Sequence, residues 1–338
     1  MLLRFAFLPA LVACMVVAAP AVATPKASLS TGRAGSAPAV KASVARKPAA
    51  PPETAAASPW KTARPVKAIV IGGSISMYFA GNFGQYLQHG CRNVEVLNRG
   101  KVGAGGPALA RILADEVLGN PQVMAGFQKG NGWILFQGGL NSVGSPELTI
   151  AALAQLFKAA HDGSLKVAAL TLTPWGSDKD KRFVGWDGLR THRATEQVVD
   201  FVLGKLTPKQ ALGRRAAERA SETWLPGELP ALAVDLWRSP LRAGKTESLR
   251  DEKALDTTFD KSFYGKRPTE KAVLLAAARA VPQSYMDKKY RDFDHIHPNS
   301  QGHRLIASLL CQQAPEAWGC DCDVIRRAEW KGKVVPGK

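Results

Sequence analysis

Beyond residue 23 the chain has no apolar run near the roughly 20 residues needed to cross a bilayer, so nothing after that point reads as a membrane span. Cysteine is scarce, five in 338 residues, and no pair has the Cys-x-x-Cys spacing of a zinc knuckle. Acidic residues are in short supply, 28 against 45 Lys and Arg, which gives a net charge of +17. The basic residues lack interleaved aromatics and form no reader motif, so a specific nucleic-acid partner is not expected. The glycine-rich run Gly103-Ala-Gly-Gly106 is not followed by Gly-Lys-Ser/Thr, which argues against a phosphate-cradling loop. No internal repeat is present.

At the start of the chain, Met1-Leu-Leu-Arg4 is short and basic, Phe5 to Val17 is apolar, and Ala21-Val-Ala23 offers small residues to a signal peptidase. The pattern is that of a secretory signal over 1–23, so a periplasmic or secreted protein is expected. Leu11-Val-Ala-Cys14 supplies the alternative, a lipobox with lipid on Cys14. Cleavage after Ala23 leaves Cys91, Cys311, Cys320 and Cys322, an even set that permits two disulfides in three possible pairings. Three of the four cluster near the C-terminus, which should therefore be stapled. Residues 24–65 are rich in Ala, Pro and Lys, with seven basic residues against Glu53 alone. Such a segment buries too little to offset its ordering entropy and reads as a disordered spacer. Its charge suits anionic envelope polymers, or merely keeps the spacer solvated and extended.

Order should begin at Val66. Lys67-Ala-Ile-Val-Ile71, Val94-Glu-Val-Leu97, Trp133-Ile-Leu-Phe136 and Val167-Ala-Ala-Leu-Thr-Leu172 read as strands, and 74–88, 105–118, 146–161 and 188–205 as helices between and after them. That alternation predicts an α/β fold with a mostly parallel sheet and helices on both faces. The charged, proline-punctuated stretch of about 206–290 reads as an irregular helical insertion, in which Trp224 and Trp237 pack on the core or line a cleft. An amphipathic helix over 299–312 follows, and 326–338 reads as a basic tail.

Four short motifs fall beyond strand ends or before the last helix, where open parallel sheets gather their functional residues. They are Gly72-Gly73-Ser74, Asn98-Arg-Gly100-Lys-Val-Gly103, Gly138-Gly139-Leu140-Asn141 and Asp294-His295-Ile296-His297. A serine hydroxyl needs an adjacent base to become a nucleophile, and that base needs a carboxylate to hold its tautomer. Ser74, His297 and Asp294 can fill those roles. In this order the motifs resemble the SGNH (GDSL-type) hydrolase superfamily over most of 66–312. The resemblance implies a three-layer α/β/α sandwich and an ester hydrolase over about 66–325, acting on acyl or acetyl esters without metal or cofactor. It also implies that Ser74 is the nucleophile, that His297 and Asp294 complete the triad, and that Ser74, Gly103 and Asn141 form the oxyanion hole. The expected substrate is an ester-bearing small molecule or an envelope glycan. Two positions depart from the family: Gly73 and Ser142 stand where it has aspartates, which leaves room for an inactive scaffold that binds anionic or glycan polymers.

Each feature has a blander reading. Ser74 alone could be a helix N-cap. His295, His297 and His303 could be metal ligands, although a turn before a helix suits His297 as a base, with His295 and His303 structural or solvated. His161 and His192 read as surface residues, Asp292 as structural, and Trp175 as bordering the cleft or capping the core.

Overall fold

The computed structural model describes residues 64–79, 81–127, 130–176, 185–243, 272–273, 276 and 286–329. The signal, nearly all of the spacer, most of 244–285 and the last nine residues lie outside them.

Five strands form one sheet: β1 (Val66–Gly72), β2 (Val94–Asn98), β3 (Gly132–Gln137), β4 (Lys166–Leu170) and β5 (Leu232–Val234). All pair in parallel, in the order β2-β1-β3-β4-β5. β1 and β3 are the central strands and are buried on both faces, as their near-continuous apolar sequences require. Alternate residues feed two separate cores. Ile69, Ile71, Ile134 and Phe136 face α2 (Gly106–Ile112), α3 (Pro146–Asp162) and α4 (Gly185–Val202). Ala68, Val70, Trp133 and Leu135 face α1 (Phe83–Gly90), α5 (Ser300–Cys311) and the short α6 (Cys322–Arg327). The result is the three-layer α/β/α arrangement, with the order reversal between β1 and β3.

Two elements differ from the sequence expectation. The helix expected over 74–88 is broken: Ser74–Met77 is one 3-10 turn, and α1 starts only at Phe83. Gly81 takes φ +94° between them, and Asn82 opens α1 with a capping box. Its side chain accepts from Gln85 N–H at 3.1 Å, and Gln85 Oε1 accepts from Asn82 N–H at 2.9 Å. The second difference is β5, which lies inside the stretch read as a helical insertion. Three residues between prolines carry too little periodicity to announce a strand. Buried Thr171 holds the segment, its hydroxyl accepting from Leu236 N–H (2.8 Å) and Trp237 N–H (3.2 Å). Trp237 is fully buried in the core, and Trp224 packs on Phe201 while donating to Leu206 O at 2.7 Å. Packing, rather than cleft lining, is therefore the role of both.

The cysteines pair as Cys91–Cys320 and Cys311–Cys322. Cys91 follows α1 just ahead of β2, so the first bridge ties the C-terminal segment to the edge of the sheet where the strands begin. It closes a span of 229 residues. Cross-linking so long a loop removes much denatured-state entropy, worth about 2–5 kcal/mol. Replacing Cys91 and Cys320 together by Ala should lower the melting temperature by about 5–15 °C. A calorimetric scan showing no shift would contradict that role.

Candidate active site

The sequence motifs converge at the edge where the strands end. Ser74 is the first residue after the Gly72-Gly73 turn that leaves β1, and Gly72 is sterically required. A Cβ on Gly72 would lie 2.0 Å from Ser76 Oγ and 2.3 Å from Gln137 O; on Gly73 it would press on Asn141 Nδ2 at 3.2 Å. Ser74 opens the 3-10 turn, so its N–H has no partner within that turn.

The opposite side of the site is the Tyr290–Asn299 loop. Asp292 N–H donates to His297 O at 2.7 Å and Asn299 N–H to Tyr290 O at 2.8 Å, pinching the loop closed. Within it Asp294 Oδ1 accepts from Ile296 N–H (3.0 Å) and His297 N–H (2.9 Å), and Asp294 Oδ2 bonds to His297 Nδ1. His295 takes the left-handed conformation, φ +60°, with its ring turned to Arg291. Asn299 caps α5 by accepting from Gly302 N–H at 3.0 Å. The loop so shaped presents His297 Nε2 at 2.7 Å from Ser74 Oγ, across 223 residues of sequence. Burial alone would raise the Asp294 carboxyl, but the two backbone N–H groups and the His297 ring outweigh it and hold the group below the usual carboxylate range.

The loop after β3 closes the third side. Asn141 Nδ2 donates to Ala104 O at 3.2 Å, which uses one of its two hydrogens and leaves the other. Ser74, Gly73, Ala104, Gly138, Gly139 and Asn141 line one small cavity. Gly103 is placed differently. It has φ +76° and stands exposed, lining the neighbouring cleft with Lys101 and Arg111, and Ala104 is the residue common to both. Ser74, His297, Asp294 and Asn141 are thus brought together, with Gly103 one residue along.

The two departures from the family pattern have local explanations. Gly73 has no room for a side chain without moving Asn141. Ser142 is not an idle replacement: its hydroxyl accepts from Gly106 N–H at 2.9 Å, lies 2.8 Å from Thr149 Oγ1 and donates to Gly139 O at 3.3 Å. It fastens the start of α2 to the Asn141 loop.

Sequence reasoning missed Tyr78. Burial, then the Asp292 charge and a hydrogen bond to that carboxylate, raise the Tyr78 hydroxyl above its ordinary value. The contact makes Asp292 structural and links the segment after Ser74 to the loop carrying His297. Tyr78 also stacks on His303, ring centroids 4.8 Å apart. His303 is wholly buried, which together with the nearby His297 pushes its ring down to about 3. The rings of His295, His297 and His303 turn to different neighbours, and no group of three His, Cys, Asp or Glu among the described residues is arranged to hold a metal. Trp175 is buried in the core, His161 is exposed, and His192 is half-buried against Glu196 at 3.3 Å.

No family model and no curated protein matches the sequence. Among solved structures the chain is similar to a GDSL-like lipase from Bacteroides thetaiotaomicron, at 14% identity over 75% of this chain and 92% of that one, TM-score 0.41. It is similar also to a member of the lipolytic G-D-S-L family from Veillonella parvula, at 15% identity over 73% and 97%, TM-score 0.40. A third is the acetyl xylan esterase AlAXEase, at 14% identity over 74% and 100%, TM-score 0.40. Two of the three carry the GDSL label that the sequence motifs resemble. Likeness at these identities and scores carries no weight for the chemistry, and the functional reading rests on the side chains themselves.

His303 generates a measurable pH dependence. Its folded-state value is depressed to about 3 from 6.5, so the unfolded chain takes up a proton first as pH falls below about 6.5, and stability is lost from there downward. Between pH 7 and pH 5 the native chain should lose about 2 kcal/mol more than a His303→Phe variant, which keeps the stacking ring. Urea unfolding at both pH values measures this; equal losses would refute it.

Proposed function

We propose that the chain is an exported serine ester hydrolase of the SGNH type, acting on acyl or acetyl esters. The single observation that carries this reading is the hydrogen-bonded line from Ser74 Oγ to His297 Nε2, and from His297 Nδ1 to Asp294. In the first half-reaction Ser74 Oγ attacks the ester carbonyl carbon while His297 Nε2 takes its proton. Asp294, kept ionised by its two backbone donors, stabilises the imidazolium and fixes the tautomer. The carbonyl oxygen becomes an oxyanion that the N–H of Ser74 and the free amide hydrogen of Asn141 receive, with the N–H of Gly103, which lines the neighbouring cleft, as the third expected donor. Collapse breaks the ester C–O bond, and His297 returns the proton to the departing alcohol. Water then repeats the cycle on the acyl-enzyme and releases the acid. An ester on an envelope polysaccharide is the expected natural substrate, from the export signal and the basic charge. Against an inactive scaffold stands the fact that Gly73 and Ser142 leave the proton-transfer line intact.

Residues 66–338 should hydrolyse p-nitrophenyl acetate, and Ser74→Ala should abolish turnover. Asp294→Asn should lower kcat by about 10⁴-fold through the wrong imidazole tautomer. Asn141→Ala should cost about 2.7–4 kcal/mol of barrier, read as a loss of about 10²–10³ in kcat. Turnover that persists in Ser74→Ala would sink the proposal.

A further inference from the structure

The cavity at Ser74 measures about 10 Å³, room for one water-sized group, so the bulk of any ester has to lie outside it. Beside it is a second cleft of about 330 Å³, which is within the size range of small-molecule sites. Ala104 lines both and Gly103 lines the cleft, so the two adjoin. One wall of the cleft is the loop after β2, which is tied to the turn that carries the nucleophile. Lys101 N–H donates to Gly72 O at 2.8 Å, two residues before Ser74, and Ala104 O accepts from Asn141 Nδ2 at 3.2 Å. The other wall is α2 and its continuation, where Leu113–Leu118 widens into a π-helical turn carrying Asp115 and Glu116. Gly119 N–H donates five residues back, to Ala114 O at 2.7 Å. Such turns are rare within helices and are found frequently at functional sites.

The cleft carries both signs of charge. Lys101 and Arg111 line it together with Asp115 and Glu116, and all four are exposed. Arg111 and Asp115 stand four residues apart, the spacing at which helix charges pair, yet none of the four forms a salt bridge with a described residue. Two side chains that only donate hydrogen bonds thus share the cleft with two that only accept them. A fatty chain there would strip water from four charges without replacing its hydrogen bonds. A polyanion would meet Asp115 and Glu116, and a polycation would meet Lys101 and Arg111. A hydroxyl both donates and accepts, so the hydroxyls of a neutral sugar serve both kinds of partner. Val102, Ala108 and Ile112 offer the C–H face of the same ring an apolar surface.

We infer that this cleft is the subsite for the neutral sugar of an O-acylated saccharide, with Arg111, Asp115 and Glu116 as its specificity-determining residues. Its role as a subsite rests on the ester-hydrolase reading, whereas the binding of sugar rests on the cleft alone. The ester carbonyl at Ser74 and the free hydroxyls along the α2 wall then belong to one ligand, and the small Ser74 cavity favours a short acyl group on it.

The test starts from the Ser74→Ala form of the exported chain, residues 24–338, so that binding is read without turnover. Calorimetric titration with unesterified cellotriose, xylotriose and tri-N-acetylchitotriose should show binding of at least one. That binding should change little with salt, because screening acts on charged partners. Adding Asp115→Ala and Glu116→Ala should weaken it about tenfold or more. Asp115→Asn with Glu116→Gln keeps the acceptor oxygens and should retain most of it, which separates recognition from any folding defect. With Ser74 restored, the Ala pair should lower kcat/KM on the acetylated form of the bound sugar about tenfold relative to p-nitrophenyl acetate, through KM. No binding of any of the three sugars overturns the inference, as does binding that the Ala pair leaves intact. Tighter, salt-sensitive binding of the zwitterionic dipeptide Lys-Glu would assign the cleft to a charged ligand and overturn it too. A chain that binds sugar as described, yet with Ser74 in place never cleaves p-nitrophenyl acetate, would sink the hydrolase reading and leave the sugar site standing.

Discussion

β1 and β3 pair in parallel from Lys67–Gly132 to Gly72–Gln137, and because both are buried on both faces, their loops can leave only at the ends. The order reverses between them: β1 is followed by a crossover to β2 on one side, and β3 leads toward β4 on the other. The loops after β1 and β3 therefore part in opposite directions and leave a crevice between them. Ser74 stands on one wall and Asn141 on the other. Two glycines let the walls come this close, and Ser76 Oγ donates across to Gln137 O at 3.4 Å. Gly72 lets the backbone pass against Gln137, and Gly73 lets Asn141 come close. A substitution at Gly72 would shift the turn that carries Ser74, because its Cβ would meet Gln137 O at 2.3 Å.

The third wall comes from a loop more than 200 residues away and has to be rigid by itself. Asp294 does this with one carboxylate: one oxygen gathers two backbone N–H groups into a turn, and the other takes the imidazole. Forming the turn and orienting the base are thus one interaction, and the loop cannot lose its shape without losing the tautomer. Tyr78–Asp292 then joins this loop to the Ser74 turn from outside the catalytic line. Ser142 does the equivalent for the Asn141 loop by binding the first turn of α2.

The layered fold, the first four strands and the composition of the site were legible in the sequence because each rests on a local signal. A β-branched run ending at paired glycines reads as a buried strand and turn, and Asp-x-x-His-Pro before an amphipathic helix reads as a capped loop. β5 was not legible, since three residues held by Thr171 from 65 residues away leave no periodicity. The break after Met77 could have been found: Gly81 followed by Asn82, with Gln85 three residues on, is a helix start. Disulfide pairing could not, because four cysteines look alike until α1, α5 and α6 are brought against one another. Nor could the work of Ser142, which depends on Gly106 and Thr149 arriving from two different helices.

The burial of His303 bears on the same chemistry. A histidine deep in an apolar layer is an expensive choice where Leu or Phe would pack, yet its cost takes a useful form. Burial and the neighbouring His297 both disfavour its charged state. In the proposed acyl transfer the one new positive charge is the His297 imidazolium, and a second imidazolium close by would raise its energy. His303 cannot become that second charge anywhere near neutral pH. The neutral ring fills the layer behind Tyr78, supports the segment after Ser74, and leaves Asp294 as the carboxylate bonded to the transient charge.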